Sequence, residues 1–456
     1  MKNVTQENYI LVSAALASVI VAFLLNAAPV ALPSIAKAFA MNNILQNWVD
    51  TIYLLSIAVF SIPCGKICEK FGLKKLLKLG IIIFTIGTLG SALSQNSYML
   101  LFFRFILGMG SAVLNVSSIA LLVTAIPSNK RGKALGIAVA AVYIGMALSP
   151  ILGGSLVYNL GWQGLFYATI PVLIINYYLI SKVTNEWKSD KNDKLDLTGT
   201  GLYGIGIILF VYGFTTILEP TGQILTILGI LLLISFGIWE LKIKNPIFEI
   251  KLFKNIRFTA SNLACLISYF ATFMVIYILN YHFQYILGMN SQTAGLYLII
   301  PSALMAIMSL ISGSLSDKIK GEKLTGTGLL IVSIAFLILC FLNETTPLYI
   351  ILIAMFLQGI GYGLFSTPNT NLIMSTVPPE EVSKASASVS TMRLIGQTIS
   401  LGILTTIFAI IMGNVPIVPE YYGLLMTSSQ TACIIATILC VIATVISFLG
   451  LKQPNN

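Results

Sequence analysis

Few side chains in this 456-residue chain could titrate away from water. Its ionisable side chains include 16 acids, 26 bases and one histidine, most of them in short polar stretches. Asp50, Arg104, His282 and Arg393 instead lie within or at the edge of long apolar runs. A carboxylate or imidazole in such a place can bind a proton in one environment and release it in another. An arginine there must face protein or a wet cavity. The chemistry on offer is ion coupling. Bond-breaking chemistry lacks comparable support. One histidine cannot furnish a metal cluster, and no Gly-x-Ser-x-Gly elbow or phosphate loop stands out. No catalytic residue, metal or cofactor is expected. The six cysteines read as small apolar fillers.

The elements that must position these residues belong in lipid. Apolar residues make up 57% of the chain, charged residues 9%, and the mean hydropathy is +0.92. Soluble domains run near 45–50% and about 25%. That excludes a soluble enzyme, a nucleic-acid binder and a disordered chain. Hydropathy predicts fourteen spans, from 9–33 through 427–451, each near the length of a membrane helix. The spans 198–217 and 223–241 are separated only by Glu219, Pro220, Thr221 and Gly222, a tight turn. Of the 26 Lys and Arg, 23 fall in alternate loops or at the two ends. By the positive-inside rule both termini are cytoplasmic and the chain sits in the plasma membrane. The net charge of +10 therefore reflects topology and does not indicate a nucleic-acid partner. The expected partners are the bilayer, a small-molecule substrate and protons, with the chain acting as a monomer.

The sequence also repeats. Gly65-Lys-Ile-Cys-Glu69-Lys70 matches Gly313-Ser-Leu-Ser-Asp317-Lys318, and Gly108-Met-Gly110 matches Gly359-Ile-Gly361 about 250 residues on. The predicted fold is all-α: two pseudo-symmetric six-helix halves, residues 1–185 and 246–456, with two helices inserted at 186–245. Such halves around a midplane cavity are a transporter architecture.

Three motifs carry a resemblance. Gly65 through Lys75, including Glu69, Lys70, Gly72 and Lys74, resembles the loop 2–3 signature of the major facilitator superfamily. Arg104 through Ala112 resembles its helix 4 motif. Gly136, Gly145, Ser149, Pro150, Gly153 and Gly154 resemble its antiporter motif, with Ser149 where glycine is usual. With Asn47-Trp48-Val49, Asp196-Leu-Thr-Gly199 and Asn245-Pro-Ile-Phe248, the chain is similar to the fourteen-helix drug:proton antiporter group. The resemblance implies a hinge and seal typical of exporters in the fifth span. Multidrug members carry an acid in the first helix; here Leu24 occupies that position, and Pro29 replaces an asparagine.

Each residue admits a plainer reading. The 65–75 glycines let two helix ends approach, and Glu69, echoed by Asp317, could latch the halves or simply sit in a basic loop. The fifth-span glycines could serve only packing. Arg104, Ser111 and Asn115 share one helical face with Gly108; Arg393 and Gln397 lie on a similar stripe. These residues, with Asn26, Asn280 and Gln284, are candidates to line a substrate cavity. Asp50 is either a substitute coupling acid or the third residue of a helix capped by Asn47. His282 is either a titrating group or a polar lining residue. The functional expectation is a proton-coupled exporter of amphipathic small molecules working by alternating access. The alternatives are a transporter of a single metabolite and a non-transporting sensor on the same fold.

The topology is directly testable. In a background without native cysteines, Asp190→Cys should react with a membrane-impermeant maleimide only after the cytoplasmic side is exposed. Labelling in intact cells would count against fourteen spans with both ends inside.

Overall fold

The structure, a computed structural model, describes the backbone of residues 2–188, 195–243, 246–316, 318–378 and 381–449. Among these, fourteen helices are long and apolar enough to cross a bilayer, and no strand occurs. The first half holds α1 (Gln6–Ala38), α2 (Asn43–Cys68), α3 (Leu73–Ala92), α4 (Ser97–Ala125), α5 (Ala134–Leu160) and α6 (Trp162–Lys182). The inserted pair is α7 (Leu197–Thr215) and α8 (Pro220–Lys242). The second half holds α9 (Ile256–Ile286), α10 (Ser291–Gly313), α11 (Gly321–Leu339), α12 (Leu348–Ser375), α13 (Lys384–Ile411) and α14 (Pro419–Phe448). The chain is a multi-pass membrane protein. An even number of spans places both termini on one face, here the terminal face.

The sequence repeat is also a packing repeat. In the first half α1 packs on α5, α2 on α4 and α3 on α4; in the second, α9 packs on α13, α10 on α12 and α11 on α12. The halves meet where α5 packs on α10 and α2 on α13, two contacts that exchange under the same symmetry. Asn42 and Asn290 cap α2 and α10, accepting bonds from the backbone N–H groups of Leu45 (2.7 Å) and Thr293 (2.8 Å). The inserted helices sit at the seam. The Tyr203 hydroxyl of α7 donates to the Ala58 carbonyl of α2 (3.1 Å), and Thr406 of α13 donates to the Phe214 carbonyl of α7 (3.0 Å). α8 lies outermost: 22% of its apolar window is buried, against 61% for α1.

The antiporter-motif helix shows why its residues are small. Any side chain at Gly154 would strike the Ser291 carbonyl, and one at Gly295 would strike the Pro150 carbonyl, so the two helices seat backbone to backbone. Gly145 and Gly153 face α1 at Val19 and Ala27 in the same way. Gly136 has open space around it, so it seats no neighbour in this conformation. Pro150 lacks an N–H, which leaves the carbonyl of Met146 without its helical donor. The Ser149 hydroxyl supplies that bond (2.7 Å).

A double-mutant cycle tests that assignment. Ser149→Ala should cost about 1 kcal/mol in the native background and close to nothing in Pro150→Ala, where a backbone donor is restored. Thermal unfolding in detergent reads both values; equal losses in the two backgrounds would show that the hydroxyl does not answer the proline.

Candidate coupling site between the halves

Helix α2 starts at Asn43, capped by Asn42, so Asn47 is not its cap and Asp50 lies two turns inside. This corrects the helix-start reading of Asp50. The carboxylate is 1% exposed and Arg104, on α4, is fully buried. Arg104 Nη2 pairs directly with Asp50 Oδ1. Its Nε donates to the Val49 carbonyl (3.0 Å), and its guanidinium lies 4.5 Å from the centre of the Tyr53 ring. Further along the same α4 face, Ser111 bonds to the Tyr53 hydroxyl (2.8 Å) and Gly108 lies against the Tyr53 carbonyl. Asn115 is partly exposed.

The second oxygen of Asp50 belongs to the other half. Tyr277 of α9 donates to Oδ2 (3.1 Å). One turn on, Tyr281 donates to Asn47 Oδ1 (2.6 Å); another turn on, Tyr285 donates to Gln46 Oε1 (3.1 Å). Three tyrosines at four-residue spacing thus zip one face of α9 to the start of α2. Sequence reasoning missed them. Their regular spacing in an apolar span was the available signal.

Asn280 and Gln284 join the same closure. Pro33 inside α1 leaves the Pro29 carbonyl without its helical donor. Asn280 Nδ2 supplies it across the interface (2.6 Å), and Gln284 Nε2 donates to the neighbouring Val30 carbonyl (3.0 Å). Asn26 instead bonds back to its own helix at the Ala22 carbonyl (2.8 Å). Asn43 bonds to the Gly413 and Val415 carbonyls, and Ser291 to the Gly154 carbonyl, at the same end. Among the described residues, the direct hydrogen bonds between the two six-helix halves lie toward the face opposite the termini. The structure is closed on that face.

His282 is 2% exposed and opens a π-turn at 282–286. Neither ring nitrogen has a hydrogen-bond partner, so it is not joined to the Asp50 group. Arg393 donates to Thr370 (3.2 Å) and lies over the Tyr269 ring, while Gln397, one turn on, is half-buried.

In the loop signature, the close-approach reading fails at Gly65. Gly65 has open space around it and does not permit a close approach. Gly72 joins α2 to α3 at φ +108°, a left-handed conformation natural to glycine. Among the described side chains, the acid engaging that junction is Glu186, which sequence reasoning did not single out. Its carboxylate accepts bonds from the N–H groups of Lys74 (2.9 Å) and Lys75 (3.2 Å) at the positive end of α3. Lys70 is exposed. The side chain of Glu69 and the whole of Asp317 lie outside the described residues.

The tyrosine zipper predicts a population shift. Replacing Tyr277, Tyr281 and Tyr285 together by Phe removes three bonds worth about 1 kcal/mol each, so the closed population should fall by about two orders of magnitude against the open one. Spin labels at Lys37→Cys and Glu344→Cys, on the closed face of the two halves, should then report a longer distance. An unchanged distance distribution would deny the tyrosines a part in closure.

Residues 14–401 and 261–456 match the Major Facilitator Superfamily. The chain is 29% identical over 387 residues to the riboflavin transporter RibZ of Clostridioides difficile, covering 83% of each. It is 28% identical over 389 residues to the multidrug resistance protein Stp of Mycobacterium tuberculosis, covering 83% of this chain and 72% of that one. Among solved structures, an inward-facing bacterial homologue of the lysosomal transporter Spinster superposes with a TM-score of 0.70 at 17% identity, over 98% of this chain and 97% of the other. A D-xylose-proton symporter gives 0.64 at 14% identity, over 94% and 96%. The paired halves, the inserted helices and the sequence match together make this chain a membrane transporter of the Major Facilitator Superfamily.

Proposed function

We propose that the protein is a proton-coupled exporter of amphipathic small molecules working by alternating access, with both termini in the cytoplasm. The observation that carries the reading is the shared carboxylate of Asp50. One oxygen pairs with Arg104 inside the first half and the other accepts from Tyr277 in the second. A proton arriving on Asp50 removes the charge that Arg104 neutralises and weakens the acceptor that Tyr277 uses. It therefore acts on the very contact that holds α2 to α9. A proton shifts a conformational equilibrium only through such a difference between states. Leu24 replaces the acid of the first helix, and Asp50 takes over its task. Export is supported by the Pro150 helix, which seats Gly154 at the interface. The likeness to Stp favours a broad substrate range and the likeness to RibZ a single metabolite, riboflavin being the natural first compound to try. The loop 65–75 and its partner at Asp317 would bias the same equilibrium from the terminal face.

Proteoliposomes with an imposed pH gradient test this. Asp50→Asn should keep substrate binding and lose uphill accumulation, while His282→Gln should stay coupled. If Asp50→Asn still accumulates substrate and His282→Gln does not, the carrier is His282. If both remain fully coupled, neither residue is the required carrier. A wild-type protein that moves no protons with any compound of a panel including riboflavin would instead be a sensor.

A further inference from the structure

The two membrane-embedded arginines are not treated alike. Arg104 has a carboxylate. Arg393 has none within ion-pair distance among the described residues. It sits about 14 Å along α13 from Lys384, in a helix that packs on α9 and on α2 across the seam. Its Nη2 donates to the hydroxyl of Thr370 (3.2 Å), and its Nε is buried with no hydrogen-bond partner. A neutral hydroxyl does not balance a guanidinium in lipid, where an uncompensated cation is costly.

What surrounds it is aromatic. The guanidinium lies 5.4 Å from the centre of the Tyr269 ring, which stands edge-on to Tyr362 at 5.5 Å. Phe365 continues the cluster at 5.9 Å from Tyr362. Arg393 keeps intermediate exposure as a residue while its Nε is buried. A cation without an acid, with a buried donor left unbonded and tyrosine rings of α9 and α12 beside it, is complementary to a flat ring carrying negative charge. The charge would take the fork of the guanidinium, and the ring would stack or pack edge-on against the tyrosines.

We propose that Arg393 and the tyrosines around it form the substrate site, and that its substrates are small aromatic anions: a carboxylate, phenolate or sulfonate on a conjugated ring. This rests on the transporter reading above and narrows its substrate class.

Two dyes built on one xanthene skeleton separate charge from shape: fluorescein, an anion at pH 8, and rhodamine 6G, a cation. Fluorescence polarisation with the purified full-length protein in detergent, without any gradient, reads binding alone. Fluorescein should bind the wild type more tightly than rhodamine 6G. Arg393→Gln should weaken fluorescein about tenfold or more, and Arg393→Lys, which keeps the charge but loses the fork, should fall between. Rhodamine 6G should not weaken in either variant. If Arg393→Gln does not fold, Arg393→Lys alone decides, with native fluorescein affinity there counting against the site. Fluorescein affinity unchanged by either folded variant, no fluorescein binding to the wild type, or tighter binding of rhodamine 6G to the wild type would overturn the proposal. Binding with no pH-driven accumulation would instead sink the coupling reading and leave the site standing.

Discussion

A charge buried in a membrane protein must be answered where it stands, and the Asp50–Arg104 pair is the charge around which this structure is organised. Two ions removed from water are tolerated only with good geometry and with their remaining donors and acceptors engaged. Here α4 brings the arginine and α2 the acid, the Val49 carbonyl and the Tyr53 ring. One oxygen of the acid would still be left over, and α9 answers it with Tyr277. The electrostatic requirement of one half is completed by the other. The proposed coupling rests on this shared carboxylate, since one of its contacts is made only when the halves are closed.

Prolines create the same kind of demand in the backbone. Pro33 and Pro150 each withdraw a helical donor in a place where water is scarce. Met146 is answered within its own helix by Ser149, which stands where the antiporter motif usually has glycine. Pro29 is answered from the opposite half by Asn280. The first is a local repair that holds in any conformation. The second lasts only while the halves are closed, so opening that face must re-satisfy a backbone carbonyl. Paired with the backbone-to-backbone seating of Gly154 and Gly295, these bonds make the closed face a discrete arrangement and not a continuum of separations.

Arg393 marks the contrast. Its neighbours are the Thr370 hydroxyl of α12 and the Cys265 thiol and Tyr269 ring of α9, neutral groups that orient around a positive charge without cancelling it. Arg104 is paired with a carboxylate, although its Nη1 is left without a hydrogen bond, and Arg393 has no carboxylate partner among the described residues. The first suits a switch and the second a binding site, and their separation along the seam allows the two to be occupied in different states.

The sequence by itself determined the solvent, the span count and the repeat, and it marked Asp50, Arg104 and Arg393 as embedded charges, though not the buried Glu240. Hydropathy, charge placement and internal spacing are local quantities, and a membrane leaves them little freedom: a twenty-residue apolar stretch has one stable form there. That is why the fourteen helices and the two halves were legible. What only the tertiary structure decided is which groups answer one another. Asp50 read equally well as a helix start until Asn42 was seen to cap α2 and place it two turns deeper. Tyr277, Tyr281 and Tyr285 looked like ordinary apolar-span tyrosines until the α9 face carrying them met Asp50, Asn47 and Gln46. Glu186 lay in an unremarked loop until it reached the start of α3. Their partners stand more than 100 residues away, and a hydrogen bond depends on distances of a few tenths of an ångström. No periodicity encodes that; it is set when helices from both halves pack.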